Sequence, residues 1–285
     1  MEFLSFLADG LLLGFVYGVA AMGMSLIWGV MKVINLAHNM IIVYGMFVVY
    51  LLFNNLGMNP YLAIIPAGVV GLVLGILIYT IAVHRVIDAP ELSTLLATFS
   101  VSMIMTGIAT AVWTTSPRNV EFSLGSISLG PIVTLPVTRV IAALVAILAA
   151  TGLFLFLYRT RPGRYIRAVA NNRSAAEMVG VPSNRMLALS FGLGAMVAAI
   201  SGGLIATFFP FNVLAGMNYQ LKSFVVCVLG GLGNPFGALV GGLVLGALEG
   251  VIPIFVETSW VPVFEFGLFV LIIIFRPSGL LGAKE

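Results

Sequence analysis

The sequence predicts an all-α fold, a polytopic transmembrane helical bundle, and three observations predict it. Of the 285 residues, 61% are hydrophobic and 8% are charged, whereas about a quarter of the residues in soluble domains are charged. Apolar stretches long enough to cross a bilayer recur along the chain. The segments between them are too short for an independent soluble domain. We therefore expect one transmembrane domain over residues 1–285.

Seven segments contain the roughly 20 mostly apolar residues that a bilayer-crossing helix needs. They lie near residues 10–31, 37–54, 60–83, 93–114, 138–158, 186–208 and 261–276. The residues before the first segment include Glu2 and Asp9 but no Lys or Arg. Because a cleavable signal peptide starts with a positive region, we expect the first span to stay in the mature protein.

The region 219–252 is the most difficult to assign to spans. Residues 230–235, with the sequence Gly-Gly-Leu-Gly-Asn-Pro, interrupt it, because Pro removes a backbone donor and Gly and Asn favour a turn. The apolar piece before the interruption has about a dozen residues, a length that suits a half-helix or re-entrant element buried among its neighbours. We therefore expect eight or nine crossings, with this segment broken or re-entrant.

A cluster of arginines predicts the orientation. The loop 159–185 holds six of the 13 basic residues, and inner loops of membrane proteins carry the excess of Lys and Arg. With this loop inside, the N-terminus lies outside and the tail 276–285 inside. Ten basic residues are then inside and three outside. The inner ones are Lys32, Arg85, Arg159, Arg161, Arg164, Arg167, Arg173, Arg185, Arg276 and Lys284, and the outer ones are Arg118, Arg139 and Lys222.

Several function classes are excluded by the composition. The net charge is +3, but the basic residues are divided between loops according to membrane side. This distribution indicates insertion into lipid and no nucleic-acid partner. Cys227 is the only cysteine, and His38 and His84 are the only histidines, which argues against a metal site. No Gly-rich phosphate loop ending in Lys is present. We expect no cofactor in this chain and no enzyme activity.

Residues within the Arg-rich loop have the pattern of a short docking helix. The candidate coupling residues are Arg173, Ser174, Ala175, Ala176, Glu177, Met178 and Gly180. We expect Ser174 to cap the helix and Gly180 to end it in the left-handed conformation. The alanines and Met178 would then pack against a partner, with Arg173 and Glu177 paired at the rim. The alternative is that the arginines only anchor lipid headgroups.

Polar residues inside the predicted spans are candidates for a transport pathway, because burying them in lipid is costly. The candidates are Asn35, His38, Asn39, Gln220, Lys222 and Glu249. We place the first three at the inner end of the second span, where His38 at i+3 from Asn35 would share its helix face. An inner gate and a cap at the membrane interface both fit this cluster.

Two charged residues fall in the interrupted region. Lys222 lies at its outer start, two residues after Gln220. Its ammonium could meet the carboxylate of an incoming solute, extend to lipid headgroups or pair with an acid. Glu249 lies inside a Gly-rich apolar helix and needs a partner or a proton. Lys222, another subunit and water are all open as partners of Glu249.

Glycines at four-residue spacing recur along the chain, most densely over residues 237–250. Small residues let helix backbones approach closely in lipid. The pattern favours packing within the chain, and an interface with another subunit along 237–250 is the alternative.

Several segments resemble the permeases of bacterial branched-chain amino acid transporters of the LivH type. Residues 174–180 follow the Glu-Ala-Ala-x-x-x-Gly pattern by which permease subunits of ABC importers hold their ATPases, with Ser in place of Glu. Four longer blocks also resemble the sequences of these permeases, at residues 27–38, 163–181, 228–234 and 275–282. The resemblance covers the whole chain, although the first position of the coupling pattern lacks its carboxylate.

The resemblance implies a permease of the bacterial inner membrane that imports branched-chain or related small neutral amino acids. Its implied partners are a second, homologous permease, two ATPase subunits that bind ATP and Mg, and a periplasmic substrate-binding protein. The N-terminus would be periplasmic and the C-terminus cytoplasmic. A secondary transporter or channel for a small neutral solute, such as urea or a short amide, is the alternative class.

Overall fold

The computed structural model describes residues 2–129, 133–276 and 278–282. In this part of the chain, nine helices are long and apolar enough to cross a membrane. The helices are α1 (Glu2–Met31), α2 (His38–Leu56), α3 (Pro60–Ile81), α4 (Glu91–Trp113), α5 (Val137–Arg159), α6 (Arg161–Asn171), α7 (Arg173–Met178), α8 (Ser183–Ala206), α9 (Gly216–Gly230), α10 (Pro235–Val251) and α11 (Val261–Phe275). Two antiparallel strands, β1 (Ser126–Leu129) and β2 (Val133–Pro136), lie between α4 and α5.

The predicted all-helical bundle is confirmed, and α6 and α7 are the helices too short to span. Each of the seven predicted spans corresponds to one helix, and the difficult region supplies α9 and α10. The first helix begins earlier than predicted, at Glu2. One basic residue of the predicted inner tail, Lys284, lies outside the described residues.

The centre of the bundle is built from α1 and α8, and most of the residues of both helices are buried. Glycines allow their neighbours to approach closely. A Cβ at Gly75 of α3 would lie 2.8 Å from the Gly192 Cα of α8, closer than Cβ atoms come to other atoms. Close backbone contact of this kind supplies the dispersion that holds helices together in lipid.

The glycine stripe over 237–250 packs within the chain. Gly237 and Gly241 face α9, and the rest of the stripe faces α1. A Cβ on Gly242 would lie 2.5 Å from the Gly18 Cα, and a Cβ on Gly14 would lie 2.7 Å from the Gly242 carbonyl oxygen. This is the packing that the four-residue spacing predicted. The alternative, an interface with another subunit along this stripe, is not needed to explain the spacing of the glycines.

The predicted interruption separates α9 from α10. Gly231 and Gly233 have positive φ angles of 106° and 85°, which only glycine adopts easily. Asn234 then caps α10, because its side chain accepts from the Phe236 and Gly237 backbone N–H groups. The helix before the break has 15 residues, somewhat longer than predicted, and the two helices pack on each other as a hairpin.

The Arg-rich loop contains two helices where the sequence predicted one. The unpredicted α6 is capped by Thr160, whose side chain accepts from the Gly163 N–H, and it buries Ile166 and Val169. The end of the bundle that carries α6 and α7 is called the Arg-rich end below. The other end carries the β1–β2 hairpin.

Candidate functional site

The chain enters α2 from an unusual depth. After α1 it turns back at Lys32, which has a positive φ of 54°, and runs without helical structure over residues 33–37. His38 Nε2 then lies 3.1 Å from the Ala20 carbonyl oxygen, and Ala20 is near the middle of α1. His38 and Asn39 thus begin α2, the end of the span at which the sequence placed them, and this end packs beside the middle of α1.

Buried hydrogen bonds support this non-helical segment. The Thr98 hydroxyl of α4 accepts from the Leu36 N–H and lies 3.2 Å from the Ile34 carbonyl oxygen. The Asn35 side chain accepts from the Ala37 N–H at 3.0 Å. Irregular backbone at membrane depth occurs only where protein or a water-filled cavity surrounds it. Because Asn35 precedes α2, it does not share a helix face with His38, contrary to the prediction.

A neutral polar cluster forms where α2, α4 and α9 meet. The Ser102 hydroxyl donates to Asn39 Oδ1 at 2.9 Å, and the Asn39 N–H donates to Gln220 Oε1 at 3.2 Å. We call Asn39, Ser102 and Gln220 the amide cluster. The Met40 N–H also reaches Asn39 Oδ1, so the first backbone donors of α2 are occupied and offer no open site for an anion.

A charged cluster joins α1, α9, α10 and α11 nearer the other end. Lys222 Nζ lies 2.8 Å from Glu249 Oε2 and 3.4 Å from Glu265 Oε1. The Tyr17 hydroxyl donates to Glu249 Oε1 at 3.3 Å. These four residues, Tyr17, Lys222, Glu249 and Glu265, are called the charge cluster. Among the partners left open for Glu249, the structure identifies Lys222, and that ammonium is consequently not free.

A cavity opens beside the charge cluster. It has a volume of about 360 Å³ and is lined by Tyr17, Phe209, Pro210, Ala215, Asn218, Tyr219, Lys222 and Glu249. A second cavity of about 450 Å³ shares Pro210, Ala215 and Asn218 with it. The Lys222 and Glu249 side chains are each 21% exposed. Charged groups exposed in this way require water or protein beside them, because lipid would be costly.

The coupling candidates lie at the Arg-rich end, with two corrections to the prediction. Asn172 caps α7 by accepting from the Ala175 N–H, so Ser174 lies inside the helix and is not its cap. Ala176 is buried within the chain itself at 4% exposure, so it cannot pack into a partner in this arrangement. Gly180 has the expected left-handed conformation, with φ of 84°.

The exposed part of α7 is apolar at its tip. Met178 and Val179 are 83% and 80% exposed. Arg173 pairs with Glu177 at 3.1 Å, as expected, and also with Asp88 of the α3–α4 connection at 3.0 Å. The short helix is thereby attached to the bundle on one side and presents two apolar side chains on the other.

Comparison with known proteins assigns the chain to a family. The family model described as "Branched-chain amino acid transport system / permease component" matches residues 6–274. The chain belongs to this family. It is 29% identical to the high-affinity branched-chain amino acid transport system permease protein LivH of Escherichia coli (strain K12), over 100% of this chain and 97% of that protein.

Other relatives show the range of the likeness. The chain is 28% identical to the permease protein BraD of Pseudomonas aeruginosa, over 100% of this chain and 97% of the relative. It is 26% identical to the fructose import permease protein FruG of Bifidobacterium longum, over 80% of this chain and 69% of the relative. No solved structure matches the chain. The family match and the candidate spans thus make the protein a multi-pass membrane permease component.

Sequence reasoning missed three residues of these clusters. Glu265 was assigned to an apolar span although it is a carboxylate within that span, which is itself a signal. Ser102 gave no decisive signal, because Ser and Thr inside spans can bond to their own helix, as Thr106 and Ser100 do, and its bond to Asn39 depends on tertiary structure. Tyr17 gave no signal, because tyrosines are common in spans.

Proposed function

We propose that this chain is the membrane-spanning permease subunit of an ATP-binding cassette importer. It moves branched-chain or related small neutral amino acids across a bacterial inner membrane. The observation that carries the proposal is the family match over nearly the whole chain, and the exposed apolar tip of α7 supports it. Likeness to this family alone does not determine the substrate, since one relative is a fructose import permease. The proposed amino acid substrate therefore rests on the relatives that cover the whole chain.

The energy would come from two separate ATPase subunits that bind ATP and Mg. This chain contributes the exposed Met178 and Val179 to the contact, with Arg173 holding α7 against the bundle. A shape-matched apolar contact transmits force better than exposed ion pairs, which are worth little individually. A second, homologous permease and a periplasmic substrate-binding protein complete the transporter.

The amide cluster is proposed as part of the pathway through the membrane. Its three residues meet inside the bundle where α2, α4 and α9 pack, and hydrogen bonds join Ser102 to Asn39 and Asn39 to Gln220. Neutral hydrogen-bonding groups suit a solute without net charge, whereas a polyanion would require fixed cations. With the Arg-rich end inside, the charge cluster lies toward the periplasm.

The test is reconstitution in liposomes with and without the partner ATPases. We expect ATP-driven leucine uptake only when all subunits are present. Met178→Glu should abolish ATPase co-purification and uptake, because it puts a charge into an apolar contact. Glu177→Gln on the same helix is the matched control and should have a milder effect. Solute flux by this chain alone, without ATP, would contradict the proposal and favour a channel or secondary transporter for a small neutral solute such as urea or a short amide.

A further inference from the structure

The charge cluster is not electrically balanced. Two carboxylates, Glu249 and Glu265, share the single Lys222 ammonium. The other ion pair between spanning helices in the described part, Asp9 of α1 with Arg139 of α5, is matched one to one. An uncompensated carboxylate away from water is costly. The cluster therefore has the electrostatic requirement for one further cationic group.

Geometry indicates where that group would be. The Glu265 side chain is only 4% exposed, whereas Lys222 and Glu249 are both 21% exposed and both line the 360 Å³ cavity. An ammonium and a carboxylate thus face the same space side by side, 2.8 Å apart. Glu265 lies behind Lys222, where it can remain its partner if Glu249 turns to another.

The walls of the cavity are aromatic and apolar. The Tyr17 and Tyr219 rings lie with centroids 6.5 Å apart, Phe209 and Pro210 add apolar surface, and Asn218 is the one uncharged amide in the lining. Such a lining suits an uncharged, partly apolar side chain, with a small number of polar groups fixing the orientation of the ligand.

We propose that this cavity binds the zwitterionic head of an α-amino acid. The α-ammonium would contact Glu249, the α-carboxylate would contact Lys222, and the side chain would lie against Tyr219 and Phe209. This rests on the proposed function and names the residues that recognise its substrate. The zwitterion leaves the net charge of the cluster unchanged, but its ammonium supplies the further cation beside Glu249, and its carboxylate takes the place of Glu249 beside Lys222.

The assignment has a consequence for selectivity. Urea and short amides carry neither charge and cannot replace the contacts between Lys222 and Glu249. A site built for paired charges rejects analogues that lack one of them, because a buried group is then left unpaired. Leucine, with both charges, should therefore bind much more tightly than leucinamide or 4-methylpentanoate, which each lack one.

The experiment uses cysteine protection in spheroplasts that carry the complete transporter. Cys227, the only native cysteine, is buried, which gives a low background. Asn218→Cys places a thiol on the cavity wall, and a membrane-impermeant maleimide measures its labelling rate. Asn55→Cys, an exposed position outside that lining, is the matched control. We expect leucine to slow labelling at position 218 and not at position 55, with no slowing by leucinamide or 4-methylpentanoate.

Charge variants separate binding from a structural role. Glu249→Gln and Lys222→Gln should each raise the leucine concentration needed for protection about 10-fold or more, since hydrogen bonds to charged groups are the stronger kind. Asp9→Asn, which breaks the balanced pair, should leave that concentration unchanged. Equal protection by all three solutes, no protection by leucine, or equal shifts in all three variants would overturn the site.

Uptake measured on the same preparations separates this site from the proposed function. ATP-driven leucine uptake without leucine protection at position 218 would overturn the cavity assignment and leave the permease function intact. Absence of ATP-driven uptake of any amino acid would instead count against the proposed function.

Discussion

Single hydroxyl and amide groups decide how the polar interior of this membrane protein is held together. Ser102 and Ser100 are two residues apart on α4, yet they face different surroundings. The Ser102 hydroxyl donates to Asn39 across a helix interface, whereas the Ser100 hydroxyl donates to the Leu96 carbonyl of its own helix at 2.8 Å. The first bond joins two helices, whereas the second stays within α4.

This difference gives a prediction for one pair of substitutions. Ser102→Ala removes the donor to Asn39 Oδ1, and a hydrogen bond of this kind contributes a net ~0.5–1.5 kcal/mol. If Asn39 orients the pathway, leucine uptake by the reconstituted transporter should fall ~2- to 12-fold. Ser100→Ala is the control and should transport normally, because its side chain is exposed and bonded locally. Equal uptake by both variants would mean that the bond to Asn39 has no role in transport.

Local rules predicted some residues of these sites and could not predict others. Glu249 was predicted to need a partner because of its charge, but the identity of that partner depends on how α9 and α10 pack. The N-cap of α7 was predicted as Ser174 and is Asn172. Both residue types cap about equally well, so preference alone cannot choose between two positions that are two residues apart. Gly180 was predictable, since it alone offers easy positive φ at that end.

At the scale of helices, packing in this protein depends on glycine. The contact between α1 and α10 puts Gly14 and Gly18 of one helix against Gly242 of the other, with no side chain between the backbones. Gly107 of α4 has no neighbouring atom within 4 Å of where its Cβ would be. The two kinds of glycine should therefore respond differently to the same substitution.

The prediction compares Gly242→Ala with Gly107→Ala. A methyl group on Gly242 would lie 2.5 Å from the Gly18 Cα, so the helices must separate, at a cost of ~1–3 kcal/mol. The apparent melting temperature of the detergent-purified protein should fall. Gly107→Ala should leave it unchanged or raise it slightly, because alanine is the better helix former. A stable Gly242→Ala variant would mean that α1 and α10 do not approach this closely.

Long apolar segments made the spans predictable, and the exceptions have physical causes. The start of α2 was predicted near residue 37 and lies at His38, but the extended course of residues 33–37 could not be predicted, because only tertiary hydrogen bonds from Thr98 reveal it. Helix α6 was missed because its arginines were read as a loop. The Thr160 cap and the Pro162 in the first turn were available as signals of a helix start.

Taken as a whole, the molecule has an asymmetry of charge that predicts its direction in the membrane. The described residues contain nine helices long and apolar enough to cross a membrane, and an odd number of crossings would put the two ends of the chain on opposite sides. The α6–α7 element and most arginines lie at one end, and the β1–β2 hairpin lies at the other. The positive-inside bias then predicts that the Arg-rich end is cytoplasmic.

This orientation can be tested with two single cysteines. Asn55→Cys lies in the last turn of α2 at the hairpin end, and Val179→Cys lies after α7, where the native side chain is 80% exposed. A membrane-impermeant maleimide added to spheroplasts should label position 55 and not position 179, and permeabilised cells should label both. The wild-type chain should remain unlabelled in both preparations, because Cys227 is buried. Labelling of position 179 in intact spheroplasts would reverse the orientation, and with it the proposal that α7 meets an ATPase in the cytoplasm.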